Sequence, residues 1–316
     1  MKRFLIKVIL YTSSMMIAIS LTLVVTHELI PISFQKNVKF KRNGIGFMGA
    51  RLAELDTVEN VDILILGSSR AYRAIDPRNF NEFKIFNLGS SAQTPKQSKF
   101  LIEKYIDKLN PKMILWEVHP SLFNNNGVES SIDLISNEKL DKRLIYYVLH
   151  ENKIVLYISL LLKAYEEMTV NDKLAINSKK DTYISGGFVE RVKNKFYKGK
   201  KNNSLRTEIE LNNEQFLNFE NGLKILAIRD VNILLFQAPV TEEDKTAIVN
   251  QDDIDNYFSA LVLKYGLIGY RNFNNFDLNF IDSLDFYDSH HLNQNGANKL
   301  DMQIEKLLKN LNFKGE

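Results

Sequence analysis

Short apolar runs that end at a glycine or a polar residue recur along the chain from residue 61 onward. Residues 61–66 stop at Gly67, and residues 83–88 stop at Gly89. Runs of this length, apolar at nearly consecutive positions, predict strands that are buried on both faces, as in a parallel sheet. Three further runs fit the same pattern, the last of them more weakly: residues 112–118, 231–236 and 267–273.

Segments with helical spacing of apolar residues lie between these runs, at residues 96–109, 213–228 and 297–311. Strands that alternate with helices predict a parallel sheet covered by helices on both faces. In such sheets, active sites lie at the carboxyl ends of the strands. We therefore expect the turn after Gly67, Gly89 and His119 to lie along one edge of the sheet.

The interval between the third and fourth predicted strands, residues 121–212, is too long for a simple crossover. Residues 134–168 have a helical pattern, whereas residues 179–206 are basic, with Asp181 and Glu190 as their acidic residues. We interpret the interval as an inserted helical subdomain with a mobile cationic loop. That loop is either merely solvated or contacts an anionic polymer or lipid headgroups.

The N-terminus predicts a membrane segment. Lys2, Arg3 and Lys7 precede an uncharged run over residues 8–25. At ~1.5 Å per residue this run is about 27 Å long as a helix, close to the roughly 30 Å hydrocarbon core of a bilayer. The leading basic residues favour a cytoplasmic N-terminus, which places the rest of the chain outside.

A cleaved signal peptide is the alternative to an anchor, with residues 18–20 as a weak cleavage site. We expect a membrane anchor over residues 1–30, a polar stem over 31–58 and one domain over 59–316, with the insertion at about 121–212. The chain is then a single-pass protein of the cell membrane whose main domain is extracytoplasmic.

Composition removes several classes of function. A chain of 316 residues that is 45% hydrophobic can bury one full α/β core. The net charge of +3 is too small to indicate a nucleic-acid partner. The absence of cysteine excludes a disulfide scaffold, a thiolate nucleophile and a cysteine-ligated metal site. We expect no cofactor and no metal.

The histidines and one serine turn carry the candidate chemistry. Of five histidines, His291 lies three residues after Asp288, so the carboxylate can accept its Nδ1–H and turn Nε2 toward a nucleophile. An ordinary helix-capping loop is the alternative. Ser68 and Ser69 follow Gly67 on a sharp turn after the first strand, where a hydroxyl is exposed above the sheet edge. A small-residue turn or a phosphate-binding loop is the alternative there, although no G-x-x-x-x-G-K-[ST] motif is present.

Three blocks in order resemble the SGNH (GDSL-like) hydrolase superfamily, in its membrane-anchored branch of cell-surface polymer acylation proteins. They are ILGSSRAYRAIDP ending at Pro77, FNLGSSAQTP at 86–95 and YDSHHLNQNGANKL at 287–300, within a match over roughly 60–311. The resemblance implies a flavodoxin-like three-layer α/β/α fold. It assigns Ser69 rather than Ser68 as nucleophile, Asp288 and His291 as its partners, and Gly89 as a backbone oxyanion donor, and it leaves His290 as a bystander.

The block that supplies an oxyanion asparagine in this family departs from the pattern, because Glu117-Val118-His119-Pro120 stands in its place. His119 either donates through a ring nitrogen or is structural. The resemblance implies a serine esterase or O-acyltransferase acting on acyl esters of a glycan or teichoic-type polymer, beside a multi-span membrane acyltransferase. A non-catalytic, membrane-anchored glycan-assembly protein with a degenerate fold is the alternative.

The charge pattern at the N-terminus predicts a topology that a reporter can test. Because Lys2, Arg3 and Lys7 precede the apolar run, a reporter enzyme fused after Glu316 should be active only outside the cytoplasm. Reporter activity in the cytoplasm would contradict this topology.

Overall fold

The computed structural model describes residues 1–29, 46–169, 178, 180–191, 196–199, 206–211, 213–275 and 278–315. The chain forms two compact units. One comprises Met1–Arg42 and Ser131–Lys173, and the other comprises Asn43–Ser130 and Leu174–Glu316. We refer to them as the helical unit and the sheet unit.

The strands of the sheet unit alternate with helices. The strands are β1 Ile63–Leu66, β2 Ile85–Asn87, β3 Met113–Glu117, β4 Asp181–Ile184, β5 Phe188–Arg191, β6 Asn232–Gln237 and β7 Gly269–Asn272. The helices of the whole chain are α1 Lys2–Leu29, α2 Met48–Glu54, α3 Ser69–Tyr72, α4 Pro95–Leu109, α5 Val128–Asn137, α6 Lys142–Glu151, α7 Ile154–Thr169, α8 Glu214–Ala227, α9 Glu242–Lys245, α10 Gln251–Tyr265, α11 Asp282–Asp285 and α12 Gln294–Asn310.

Five of the strands pair in parallel in the order β2-β1-β3-β6-β7. This confirms the predicted α/β fold with a parallel sheet, and the strand order is the doubly wound, flavodoxin-like one. In that order the chain leaves β1 for β2 on one side and returns to β3 on the other, so the loops after β1 and β3 diverge at the sheet edge. Such a switch point opens the crevice in which ligands bind.

The core on one face of the sheet centres on Trp116 of β3, which is 1% exposed. Its ring meets Phe219 of α8 edge to face, with the centroids 4.6 Å apart. Gly222, one turn later on α8, lets the helix approach the ring: a Cβ there would lie 2.7 Å from Cη2 of Trp116. The indole therefore sets how closely this helix packs on the sheet.

The helical unit contains α1, most of α5, and α6 and α7. Leu144 and Val148 of α6 are buried, and the hydroxyls of Ser131 and Tyr147 lie 2.8 Å apart. Residues Lys2–Thr22 of α1 are long and apolar enough to cross a membrane, and α1 alone meets this test in the described part of the chain. A membrane anchor and a signal sequence both meet it, so these two alternatives stay open.

Two predicted boundaries differ from the structure. The predicted stem over 31–58 ends earlier, because α2 is packed within the sheet unit with Met48 and Leu52 buried; residues 31–45 lie outside the described residues. The insertion also divides: Ser131–Lys173, with most of α5 and with α6 and α7, belongs to the helical unit, whereas the chain from Leu174 onward belongs to the sheet unit.

Part of the predicted cationic loop over 179–206 is an ordered antiparallel hairpin, β4–β5. Gly186 at its turn accepts a hydrogen bond from the N–H of Asn87 at 2.8 Å. Arg51 of α2 donates to the carbonyl of Gly187 at 2.7 Å, and Glu54 accepts from the N–H of Gly186 at 2.9 Å. These bonds join the hairpin to residues that are distant in the sequence. A local sequence pattern does not reveal them, so the segment was predicted to be a loop. Residues 179, 192–195 and 200–205 lie outside the described residues.

Replacing the central indole should be costly to stability. Trp116→Ala should lower the free energy of unfolding by about 3–5 kcal/mol, because it leaves a cavity between β3 and α8. Leu263→Ala on α10 is the matched control, since this side chain is 87% exposed and the change should cost about 0.5 kcal/mol or less. Thermal unfolding of the full chain, followed by circular dichroism, would measure both. Equal unfolding temperatures would contradict the assigned core.

Candidate active site

The turn after β1 presents Ser69 and buries Ser68. Gly67 has φ 137°, which L side chains rarely adopt, and a Cβ there would lie 2.5 Å from Cβ of Glu117. Ser68 caps α3: its hydroxyl accepts from the N–H of Arg70 at 3.2 Å. Ser69 is the first residue of the helix, where its own N–H has no partner in the preceding turn. The two adjacent serines thus have separate roles, one as a cap and one facing the site.

A buried carboxylate joins the turn after β1 to the end of β3. Glu117 accepts from the N–H of Ser68 and from the N–H of His119, both at 2.9 Å. Burial raises the pKa of Glu117, against the opposing charge of Arg70 and these N–H groups. The residues that follow β1 and β3 thus both donate to the side chain of Glu117, which fixes the ends of these two strands relative to each other.

His291 connects Ser69 to Asp288. Its Nε2 lies 2.7 Å from Oγ of Ser69, and its Nδ1 lies 3.0 Å from each carboxylate oxygen of Asp288. Because an ionised carboxylate can only accept, we assign the ring proton to Nδ1. The other ring nitrogen, Nε2, is then free of a proton and accepts from the hydroxyl of Ser69. The structure therefore brings together the three residues predicted as a catalytic set.

The loop before α12 holds this arrangement. Asp288 also accepts from the N–H groups of His290 and His291, at 3.0 and 2.9 Å. Asn293 caps α12, because its side-chain oxygen accepts from the N–H groups of Asn295 and Gly296. Its amide nitrogen donates to the carbonyl of Leu284 at 2.7 Å. The orientation of the imidazole is thus determined by the backbone of its own loop.

Burial and charge set the ionisation of the pair. Burial lowers the pKa of His291 to about 4; the hydrogen bond to Asp288 opposes this, and the charges of His290 and Arg70 add to it. Burial favours the neutral acid at Asp288, but the hydrogen bond and charge of His291 and the charge of His290 hold its pKa well below the usual range. At neutral pH the site therefore holds a carboxylate and a neutral imidazole, which can act as a base.

A cavity of about 420 Å³ opens beside Ser69, within the size range of small-molecule sites. Its lining is mostly polar and comes entirely from the sheet unit. The lining residues are Ser68, Ser69, Arg70, Tyr72, Arg73, Ser91, Ala92, Ser121, Leu122, Asn125, Glu129, Arg191, Tyr287, Asp288, His290 and His291.

The structure does not bring Gly89 to this cavity as an oxyanion donor. Its N–H donates to Oδ1 of Asn87 at 2.9 Å, and it is absent from the cavity lining within the described chain. Gly89 instead allows a close approach, because a Cβ there would lie 2.8 Å from the carbonyl oxygen of Gly67. The close packing of Gly89 against the turn that carries Ser69 explains why this residue is a glycine.

Ala92, three residues after Gly89, differs from it in its relation to the cavity. It lines the cavity, and its φ of 49° lies in the left-handed region. Within the described part of the chain no hydrogen-bond acceptor engages its N–H. An alanine in this conformation has no sequence signal, because glycine and asparagine are the residues that usually mark it.

His119 is buried, and the described lining of the cavity does not include it. Its Nδ1 accepts from the N–H of Ser121 at 3.3 Å and lies 2.9 Å from the hydroxyl of that residue, so the ring proton is assigned to Nε2. Burial, with the charge of Arg70 and those of the two site histidines, lowers the pKa of His119 well below its usual value. The ring is therefore neutral with one N–H donor. Its use as an oxyanion donor stays a prediction.

Tyr287 packs beside the imidazole of His291, and two guanidinium groups lie against Tyr287. The ring of Tyr287 is parallel to that of His291 within 3°, with the centroids 5.3 Å apart. The guanidinium of Arg191 lies 4.1 Å from the Tyr287 centroid, and that of Arg73 lies 5.6 Å from it. Arg191 comes from β5, so the hairpin inserted in the chain forms part of the site. The sequence predicted a mobile cationic loop at this residue and did not predict its contact with Tyr287.

A metal ion would have to displace the hydrogen bonds of the site. Asp288, His290 and His291 have potential ligand atoms within 4.8 Å of one another. The Asp288 oxygens and both ring nitrogens of His291 are already engaged with each other and with Ser69. The donor set fits proton transfer better than it fits a metal.

No family model matches the chain, and no curated protein matches it. Among solved structures it is similar to a GDSL-like lipase from Bacteroides thetaiotaomicron, with 10% identity and a TM-score of 0.43 over 84% of this chain and 98% of that one. It is also similar to a candidate acylhydrolase from Bacteroides fragilis, with 8% identity and a TM-score of 0.40 over 82% of this chain and 94% of that one.

The pKa of His291 predicts the pH dependence of the serine. Because only the neutral imidazole can accept the proton of Ser69, its reaction with a neutral fluorophosphonate should stay level as pH falls through the ordinary histidine value of 6.5. The rate should fall by about tenfold per unit only below about pH 4. Labelling rates of the full chain would measure this, with circular dichroism at each pH as the folding control. A midpoint near 6.5 would contradict the assignment.

Proposed function

We propose that the chain is a serine esterase or O-acyltransferase in which Ser69, His291 and Asp288 act as nucleophile, base and orienting carboxylate. The observation that supports this most directly is the 2.7 Å contact between Nε2 of His291 and Oγ of Ser69, with Asp288 on the other ring nitrogen. A nucleophile bonded to a base that a third group orients is the arrangement nucleophilic catalysis requires.

In the first half of the reaction His291 takes the proton of Ser69 as its oxygen attacks the carbonyl carbon of an acyl ester. The carboxylate of Asp288 stabilises the imidazolium that forms. When the tetrahedral intermediate collapses, the C–O bond to the leaving alcohol breaks. The imidazolium returns its proton to that alcohol and leaves an acyl group on Ser69.

The negative charge on the tetrahedral intermediate requires N–H donors aimed at the oxygen. We assign the backbone N–H groups of Ser69 and Ala92 to this role. The first opens α3, where the helix N-terminus favours negative charge, and the second lines the cavity without an acceptor in the described chain. The neutral His119 is a third candidate through Nε2–H.

In the second half, water or a hydroxyl of a polymer attacks the acyl-enzyme by the reverse steps. Water gives an esterase and a polymer hydroxyl gives an O-acyltransferase. We propose an acylated glycan or teichoic-type polymer as substrate, in keeping with the sequence resemblance and with the polar cavity lining. The apolar helix α1 is consistent with a membrane-bound enzyme whose sheet unit lies outside the cytoplasm, beside a multi-span acyltransferase that supplies acyl groups.

Removing the nucleophile should separate the two serines. Ser69→Ala should abolish labelling by a fluorophosphonate and formation of an acyl-enzyme, whereas Ser68→Ala should leave labelling largely intact, with some loss of stability from the missing cap. Labelling measured by intact mass spectrometry of the full chain would show this. If Ser68→Ala alone abolished labelling, the nucleophile would be reassigned.

Removing the base should cost more than removing its neighbour. His291→Ala should reduce acyl-ester turnover by about 10⁴-fold or more, and Asp288→Asn nearly as much, because an amide stabilises the wrong tautomer. His290→Ala is the matched control, and should change stability by about 1 kcal/mol or less. Combining Ser69→Ala with His291→Ala should add almost nothing to either loss. Near-normal turnover by a folded His291→Ala protein would favour the non-catalytic alternative.

A further inference from the structure

Two arginines on the cavity wall share one carboxylate. Arg73 donates to both oxygens of Asp181, at 3.1 and 3.3 Å, and Arg191 donates to Oδ1 of the same residue at 3.0 Å. Two guanidinium charges against one carboxylate leave an excess of one positive charge on this wall. The excess lies beside Tyr287, which contacts the imidazole of the proposed base.

Arg70 adds a third guanidinium to the same cavity from the residue after Ser69. Its ion pair with Asp244 is long, at 3.5 Å. Within the part of the chain that the structure describes, the Nε atoms of Arg70 and Arg191 are buried without a hydrogen-bond partner. The side chains of Arg70 and Arg191 are 12% and 18% exposed and line the cavity, so an acceptor that entered it would meet the accessible atoms of these guanidinium groups rather than their buried Nε atoms.

The carboxylates that line the cavity do not supply this acceptor. Asp288 is engaged by His291 and by two backbone N–H groups. Glu129, the other carboxylate of the lining, has no described ion pair with the three arginines. The site is therefore rich in donors around the nucleophile.

We infer that Arg70, Arg73 and Arg191, here called the arginine wall, bind an anionic group of the substrate next to the reacting ester. The group is an oxyanion of the carboxylate or phosphate type, because planar guanidinium donors match the oxygens of both. This rests on the proposed function, since it places the anion beside the nucleophile. It goes further by requiring that the acyl ester belong to an anionic molecule.

Inorganic phosphate and acetate are suitable probes of the arginine wall. With the full chain at constant ionic strength, set by chloride, phosphate should slow the labelling of Ser69 by a neutral fluorophosphonate in a saturable way. Acetate in place of phosphate distinguishes the two oxyanions, and the one that protects at lower concentration identifies the substrate group. Saturable protection by either supports the proposal, and no protection by either overturns it.

Changing Arg191 should weaken this protection. Arg191→Gln should raise the anion concentration needed for half-protection by about tenfold to a hundredfold, the usual worth of a charge-assisted hydrogen bond. Arg191→Lys keeps the charge but loses the planar donors, so its half-protection concentration should lie between those of the wild type and Arg191→Gln. Arg229→Gln is the matched control, because it removes the same charge from a guanidinium paired with Asp107 outside the cavity. Equal half-protection concentrations in all four proteins would overturn the assignment.

A second variant covers the case in which Arg191→Gln does not fold. Glu129→Gln removes a negative charge from the cavity, so it should lower the phosphate or acetate concentration needed for protection by several-fold. No change, or a rise, would count against the proposal.

The two proposals can fail separately. If the wild-type chain is not labelled without phosphate, the proposed function fails. The arginine wall is then tested by the rise in thermal unfolding temperature that phosphate or acetate produces, which should be present in the wild type and smaller in Arg191→Gln. Labelling without any effect of either anion would retain the esterase proposal and overturn the anion site.

Discussion

The position of Ser69, the proposed nucleophile, depends on one buried carboxylate. Glu117 accepts the N–H groups of Ser68 and His119 and so joins the ends of the two strands at the switch point of the sheet. A buried carboxylate without such donors would be strongly unfavourable, and each orphaned N–H would cost about 1–3 kcal/mol. The side chain fits only because residue 67 lacks a Cβ. Glycine, carboxylate and serine turn therefore form one structural unit.

The remaining parts of the site are attached to this unit from distant segments. The loop before α12 brings the imidazole, and the hairpin β4–β5 brings a guanidinium to the back of Tyr287. The hairpin is held in turn by Arg51 and Glu54 of α2, the first helix of the sheet unit. The helix α2 therefore helps to position Arg191 beside Tyr287, although α2 itself does not line the cavity in the described chain.

The sequence predicted most where local patterns decide the structure. All five strands of the sheet were recognisable, because a strand buried on both faces is apolar at nearly every position. The carboxylate–imidazole pair was recognisable because its members lie three residues apart. The helix α10 was not predicted, and neither was the hairpin, whose stability comes from bonds to α2 and β2 that no local pattern encodes.

The predictions for the site also failed where contacts between distant residues decide the structure. Gly89 was assigned because the block at 86–95 resembles a family block, but its N–H is bonded to Asn87. Ala92, proposed above as an oxyanion donor, was not predicted, because the sequence does not mark an alanine that adopts the left-handed conformation. Arg191 was overlooked because it belongs to a segment that is basic overall, whereas in space it contacts Asp181 and the ring of Tyr287.

The contact between Gly89 and Gly67 also affects how mutational scans of this protein should be interpreted. Any side chain at Gly89 would collide with the carbonyl of Gly67 and displace the turn that carries the hydroxyl of Ser69. Inactivity would then be shared by every substitution, conservative or not, and would resemble the profile of a residue with a chemical role. Intolerance at this position reflects its distance from the turn, and gives no information about which groups contact the substrate.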